Sequence, residues 1–284
     1  MTEGKRVLVE LTVVGKDQKG VVARFTSAIF KRDGNIESIS QNVSRGLFGM
    51  HLEASFTRDL DQTSLRKEFQ LLGRSFAMDV GVHYQEQKRN LNLAIMVTKE
   101  PQCLEGILDA VKEGRLRASV VLIVGSDRTL QGVAEKHEIP FHVANNIDQA
   151  KREARILGLL QRYNVDAIAL ARYMRILSPN FVWRYPNKII NIHPSLLPAF
   201  AGASAYEQAY ERGAKIIGCT SHFVTMDLDE GPIIWQEALQ VEPNEELSSV
   251  KKRGQTLEAK ALVKALELFA ERKLEVRWGR VFIK

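Results

Sequence analysis

Asn191 and His193 stand two residues apart in Ile189-Ile190-Asn191-Ile192-His193-Pro194-Ser195-Leu196-Leu197-Pro198, an apolar run that breaks at a proline. Residues i and i+2 of a strand project from one face, so an amide donor and an imidazole arrive side by side where the chain leaves the sheet. An amide N–H can stabilise a developing oxyanion, and an imidazole can exchange a proton near neutral pH. The same pair suits a structural part, with Asn191 closing the strand's hydrogen bonds and His193 beginning a turn. Further along, Asp227-Leu228-Asp229-Glu230-Gly231-Pro232 places carboxylates between two apolar strands, a density that a hairpin turn does not require but a solvated acidic loop would also show. Taken together, Asn, His and Asp form a set capable of amide chemistry without a metal, a nucleophilic serine or a nucleotide. The carboxylate can hold or charge the imidazole and attract a water, while the amide and imidazole flank the oxyanion.

Competing chemistries lack their residues. Cys103 and Cys219 share no motif spacing and no placed base, so free thiols in a reducing cytoplasm are expected. His137 and His142 lie around a helix-to-strand turn without acidic or thiolate partners at metal spacing, and no metal site is expected. Thr98-Lys99-Glu100-Pro101-Gln102 and Gly125-Ser126-Asp127-Arg128 follow two successive strands, and neither is a glycine fingerprint or a lysine-bearing phosphate loop. A dinucleotide or nucleoside triphosphate cofactor is therefore not expected.

The elements that must position these residues fall into two sets. From Arg6 to Tyr84 the chain reads as strand (Arg6 to Val14), helix (capped by Asp17, apolar at Val21, Val22, Phe25, Ala28 and Ile29), strand (Ile36 to Val43), strand (Phe48 to Phe56), helix (Leu65 to Leu72) and strand (Phe76 to Tyr84). This βαββαβ order predicts a ferredoxin-like domain over residues 1–84. Gln85 to Asn90 is polar and aperiodic, a linker. Residues 91–284 then alternate apolar runs at Leu91 to Val97, Ser119 to Val124, Asp166 to Leu170 and Lys188 to Ile192 with helices at Cys103 to Glu113, Thr129 to His137 and Ile147 to Tyr163. Such alternation predicts an α/β, doubly wound, mostly parallel Rossmann-like sheet with ligands at the carboxyl ends of its strands. Strands at Lys215 to Thr225 and Pro232 to Val241 and a helix from about Thr256 to Lys273 complete it.

With 284 residues the chain is long enough for about two domains, and 45% hydrophobic with 26% charged residues excludes dominant disorder. No uncharged apolar stretch approaches the ~18 residues of a membrane span, and Glu3, Lys5, Arg6 and Glu10 interrupt any secretory signal. The net charge of +6 is concentrated after residue 248, without the interleaved aromatics or reading motif of a nucleic-acid binder. It reads as a solvated helix face or as steering for an anionic small molecule.

The segments Asn191 to Pro198, Gly202, Gly218-Cys219-Thr220-Ser221-His222-Phe223-Val224 and Leu228-Asp229-Glu230-Gly231-Pro232, in this order, resemble the signature of the 10-formyltetrahydrofolate-dependent formyltransferase family. Ala171-Arg172-Tyr173-Met174-Arg175-Ile176-Leu177-Ser178-Pro179 is similar to the segment that wraps the pterin ring in that family. The resemblance implies Asn191, His193 and Asp229 as catalytic residues, Arg175, Ile176 and Leu177 as pterin contacts, and His222 as a polar wall residue or a support for Asp229. The glycinamide ribonucleotide formyltransferases carry a glycine-rich phosphate loop after their first strand, where this chain has Thr98 to Cys103. Methionyl-tRNA formyltransferases add a C-terminal barrel, whereas only a helix and a short strand are expected here after residue 250. Residues 1–84 resemble an ACT domain, with Gly15 to Ala23 at the turn into the first helix. The fusion of the two is similar to the deformylase branch of the family.

That branch implies hydrolysis of 10-formyltetrahydrofolate to formate and tetrahydrofolate, supplying formate and balancing one-carbon folate pools for purine biosynthesis. The folate is then the substrate, and neither a further cofactor nor a metal is expected. Formyl transfer to an amine, and a non-catalytic amino-acid and folate sensor, are the alternatives. The resemblance also implies an amino-acid effector held at Asp17, Lys19 and Gly20, a homo-oligomer with a tetramer as the expected size, and neither nucleic-acid nor membrane partners.

Overall fold

The computed structural model describes residues 6–57, 60–84, 90–199 and 204–284. Its backbone contacts divide the chain into two compact units, residues 1–89 with Pro179–Pro186, and residues 90–178 with 187–284. Most of the polar segment read as a linker, residues 85–89, lies outside the described residues, as does Gly202.

The first unit runs β1 (Val7–Lys16), α1 (Val21–Lys31), β2 (Asn35–Ser44), β3 (Leu47–Phe56), α2 (Gln62–Ser75) and β4 (Asp79–Tyr84). Its antiparallel sheet has the order β2-β3-β1-β4, the ferredoxin-like arrangement expected. Val9, Leu11 and Val13 alternate inward from β1 and meet Phe25 and Ile29 of α1 and Leu65 and Phe69 of α2 in one core. Trp183 also packs in this unit. Its indole lies over Gly49, where a Cβ would come within 2.4 Å of the ring. Asp17 does not cap α1. Gly20 holds the cap position with φ 87°, no side chain bonds the first-turn amides, and the Asp17 N–H goes to the Gly46 carbonyl at 2.9 Å. A left-handed residue at the cap lets the chain turn directly into the helix, leaving Asp17 too far upstream to reach it.

The second unit contains β5 (Leu91–Val97), α3 (Gln102–Lys112), β6 (Ala118–Gly125), α4 (Gln131–Lys136), β7 (Phe141–Val143), α5 (Gln149–Arg162), β8 (Ala167–Ala171), β9 (Ile189–His193), α7 (Ala205–Glu211), β10 (Ile216–Phe223), β11 (Ile233–Gln240), α8 (Leu247–Ala270) and the hairpin β12 (Leu274–Arg277) and β13 (Arg280–Ile283). The short α6 (Pro179–Val182) falls in the segment grouped with the first unit. Seven strands form one sheet in the order β11-β10-β9-β8-β5-β6-β7. The pairs from β9 through β7 are parallel, and β10 and β11 add antiparallel at one edge. The central strands are apolar on both faces, as a sheet covered on two sides requires.

Three short elements, β7, α6 and α7, were not expected from the sequence, and the C-terminal part differs from the sequence reading in two places. Helix α8 begins at Leu247 and runs through Gly254, which packs against the Tyr206 ring where a Cβ would meet Cζ at 2.5 Å. The glycine there serves close packing rather than a helix boundary. A hairpin, rather than a single strand, closes the chain. The C-terminal basic residues are largely paired, with Lys251 to Glu207 at 2.6 Å, Arg253 to Glu245 at 2.7 Å and Lys260 to Glu237 at 3.1 Å. No helix among the described residues is long and apolar enough to cross a membrane.

Candidate active site

Strand β9 is flanked by β8 and β10, so Asn191 is carried on backbone paired from both sides, and His193, beyond the end of the β8 ladder, pairs with Thr220 of β10. The turn that follows is held by one hydroxyl. Thr220 Oγ1 donates to the Ser195 carbonyl at 2.7 Å and accepts from Leu197 N–H at 3.0 Å and from Gln236 Nε2 at 2.9 Å. His193 is therefore fixed at a strand end whose exit is itself hydrogen-bonded.

The structure brings Asn191, His193, His222 and Asp229 together. His193 Nδ1 lies 3.3 Å from Asp229 Oδ2, and both side chains are buried. His222 stands on β10 opposite Asn191, and its Nε2 is 3.2 Å from Asn191 Nδ2. His222 Nδ1 is 2.9 Å from the Phe223 carbonyl, which can only accept, so Nδ1 carries the hydrogen. Nε2 of the neutral ring then accepts from the Asn191 amide. That bond uses one of the two Asn191 N–H donors and aims the amide. Asp229 Oδ1 lies 3.8 Å from His222 Nε2, beyond hydrogen-bond range, so His222 positions Asn191 and does not support Asp229.

Burial pushes the His222 imidazole below the usual histidine range, opposed by its backbone bond and by Asp229. The ring stays neutral in the folded protein at pH values where an exposed histidine is half charged. The unfolded chain then binds the extra proton, so the neutral-ring contribution to stability is complete above about pH 6.5 and declines as pH falls below it. We expect the NMR resonances of His222 to show the Nδ1–H tautomer and to titrate below pH 6.5. A normal titration would remove this account of how Asn191 is oriented.

Asp229 has φ 58°, a left-handed conformation that aspartate tolerates better than most residues. Gly231 makes the return into β11, and its α-carbon sits so close to β10 that a Cβ would fall 1.6 Å from the Phe223 oxygen. The loop over residues 224–232 is thus pinned against the carbonyl that fixes His222.

Arg175, Ile176 and Leu177 lie in the corner after β8. Leu177 is buried, Ile176 is exposed, and the Ile176 carbonyl accepts from Gln149 Nε2 at 3.1 Å. Glu153, buried on α5, accepts from the Ser178 N–H at 2.8 Å and from Gln149 at 2.9 Å, and bonds the Ser178 hydroxyl. Thr98 Oγ1 accepts from Met174 N–H at 3.1 Å. Thr98, Gln149 and Glu153 therefore shape this corner; the sequence marked Thr98 only as the start of the segment that departs from a glycine-rich phosphate loop, and Gln149 and Glu153 not at all. Glu153 did leave a trace, since it shares the helical spacing of the buried Ile156 and Leu160. Among the described residues no three His, Cys, Asp or Glu side chains converge as metal ligands do.

Residues 91–266 match the family described as formyl transferase, and residues 7–83 match the ACT domain. A formyltetrahydrofolate deformylase of Bacillus subtilis is 36% identical over 279 residues, covering 96% of this chain and 92% of the relative. The chain belongs to the formyltetrahydrofolate deformylase family. A deformylase crystal structure from Pseudomonas syringae covers 99% of this chain and is itself covered to 95%, with a TM-score of 0.67 at 29% identity. A glycinamide ribonucleotide transformylase from Symbiobacterium toebii aligns over 69% of this chain and 95% of its own, with a TM-score of 0.66 and 35% identity. The deformylase relatives span both units of the chain, whereas this transformylase covers a smaller share of it.

Proposed function

We propose that this chain hydrolyses 10-formyltetrahydrofolate to formate and tetrahydrofolate, with Asn191, His193 and Asp229 as its catalytic residues. The observation that carries the reading is the buried His193–Asp229 contact on the strand that presents Asn191. Asp229 holds the attacking water, and the free N–H of Asn191 meets the oxyanion as the tetrahedral carbon forms. His193 delivers the proton that N10 needs to leave, with Asp229 balancing the imidazolium charge. The pterin lies along the corner of Arg175, Ile176 and Leu177, read largely through its backbone. The chemistry calls for no group beyond the folate substrate, and the buried free thiols of Cys103 and Cys219 suit a reducing cytoplasm. The released formate feeds one-carbon supply for purine synthesis.

Purified protein given 10-formyltetrahydrofolate and no acceptor is expected to release formate and tetrahydrofolate in equal amounts. Turnover only on addition of an amine would make it a transferase, and silence with intact folate binding would make it a sensor.

The first unit is proposed to hold a small amino acid at the turn of Asp17, Lys19 and Gly20. All three are exposed, and the uncapped first-turn amides of α1 suit a carboxylate. It is also proposed to assemble the chain into a homo-oligomer, with a tetramer as the expected size. Calorimetric titration with the twenty amino acids and light scattering at micromolar protein test both, and no heat together with a monomer mass would remove them.

A further inference from the structure

A second buried polar set stands beside the site, in the space between the end of β8, α7 and α8. Glu258 is completely buried on α8, and the neighbours of its carboxylate are the side chains of Arg172 and Tyr206. Arg172 Nη1 stands 3.4 Å from it as counter-charge. The Tyr206 hydroxyl of α7 faces the same carboxylate. A buried ion pair of this kind is weak evidence for stability, since apolar side chains of equal volume commonly serve a fold as well.

Two backbone features exist to place this pair. Arg172 has φ 59°, a conformation that glycine adopts far more easily, so a long basic side chain is kept where the backbone favours none. Gly254 admits the Tyr206 ring against α8. The flank is closed by a chain of side-chain bonds, Gln102 to Gln255 at 3.2 Å and Gln255 to Glu100 at 3.2 Å, which ties the segment after β5 to α8.

The sheet register gives the location. Leu170 pairs with Asn191 in the last rung of the parallel β8–β9 ladder, so β8 ends at Ala171 beside the strand that carries Asn191 and His193, and Arg172 is the first residue to turn away from it. His193 is within electrostatic range of Glu258. An acceptor amine must bring its nitrogen to about 3 Å from the formyl carbon, and a substrate carrying that amine needs room for its remaining atoms beside His193.

We propose that Arg172, anchored by Glu258 and Tyr206, fills the flank through which an amine-bearing substrate would reach the formyl carbon, and so confines the acceptor to water. This rests on the hydrolase reading above. In either reaction the acceptor bonds to the formyl carbon, the bond from that carbon to N10 breaks, and the proton shed by the acceptor goes to N10. Of the differences between the two acceptors, size is the one that a filled flank discriminates.

The test is how the formyl group partitions between water and glycinamide at pH 8.5, read as formate against formylglycinamide. Arg172→Gly alone would leave Glu258 unpaired in the interior, so it is paired with Glu258→Gln. The double variant is expected to raise the transferred share at least tenfold over wild type. Arg172→Met with Glu258→Gln keeps the volume and is expected to partition as wild type does. If the glycine variant is insoluble, Arg172→Ala with Glu258→Gln takes its place. An unchanged partition in the opened variant, equal opening by the methionine variant, or wild-type protein that formylates glycinamide as fast as it releases formate would each overturn the proposal. Wild type that releases no formate fails the hydrolase reading instead.

Discussion

Asp229→Asn is expected to lower formate release by ~10² to 10⁴-fold, about 3 to 5 kcal/mol of transition-state stabilisation, while leaving folate binding nearly unchanged. Asparagine matches aspartate in volume and tolerates the left-handed backbone at this position, so the loop keeps its shape. It cannot take a proton from water, and it carries no charge to balance His193 across the 3.3 Å contact. The corner of Arg175 to Leu177, where the pterin is proposed to lie, follows β8 on the other side of β9 from this carboxylate. Stopped-flow or coupled measurement of formate, with folate affinity by fluorescence, separates the two effects. A folded variant keeping more than about a tenth of wild-type turnover would place the chemistry elsewhere, and parallel loss of binding would make the acidic loop structural.

Gly231→Ala should damage both fold and rate. Its Cβ would stand 1.6 Å from the Phe223 oxygen and 3.3 Å from His222 Nδ1, so the loop or the strand must move. Overpacking of this kind costs about 1 to 3 kcal/mol, and more where backbone rather than a side chain blocks the atom. Displacing Phe223 also takes away the acceptor that fixes the His222 tautomer, and with it the aim of the Asn191 amide. We expect a fall in Tm of about 5 to 10 °C and a loss of at least 100-fold in kcat. Unchanged Tm and a rate within a factor of three would show that the loop is softer than its packing indicates.

Periodicity and spacing carried most of the fold. The β-branched apolar run of β1, the alternation of β2 and β3, the apolar stripe of α1 and the apolar runs of β5 and β8 each obey one local rule, and each was legible to within a few residues. Elements that depend on tertiary packing were not legible. The start of α8 hides behind Gly254, whose reason is the Tyr206 ring, and the short α7 and β7 carry too few residues for a period. In the site, Asn191 and His193 were visible because a strand places i and i+2 on one face. The hydrogen bond between His222 and Asn191 needed the antiparallel register of β9 with β10, which no local pattern states. Glu153 and Glu258 are each buried on an otherwise apolar helical stripe. An acidic residue in such a stripe is a local signal for a buried polar role, and neither was used.

The strand order β11-β10-β9-β8-β5-β6-β7 also has a consequence for biosynthesis. β5, β6 and β7 leave the ribosome first and form one half of the sheet, after which β8, β9, β10 and β11 add outward, one by one, on the opposite edge of β5. Synthesis and sheet growth then run in the same direction, and the growing edge always awaits the next segment to emerge. A nascent chain halted before Ile216 would present β9, with its apolar Ile189, Ile190 and Ile192, as an open edge able to pair with another chain. Translation pauses in that stretch should therefore be the ones that lead to aggregation, and enzymatic competence should arrive only once β11 has closed the row.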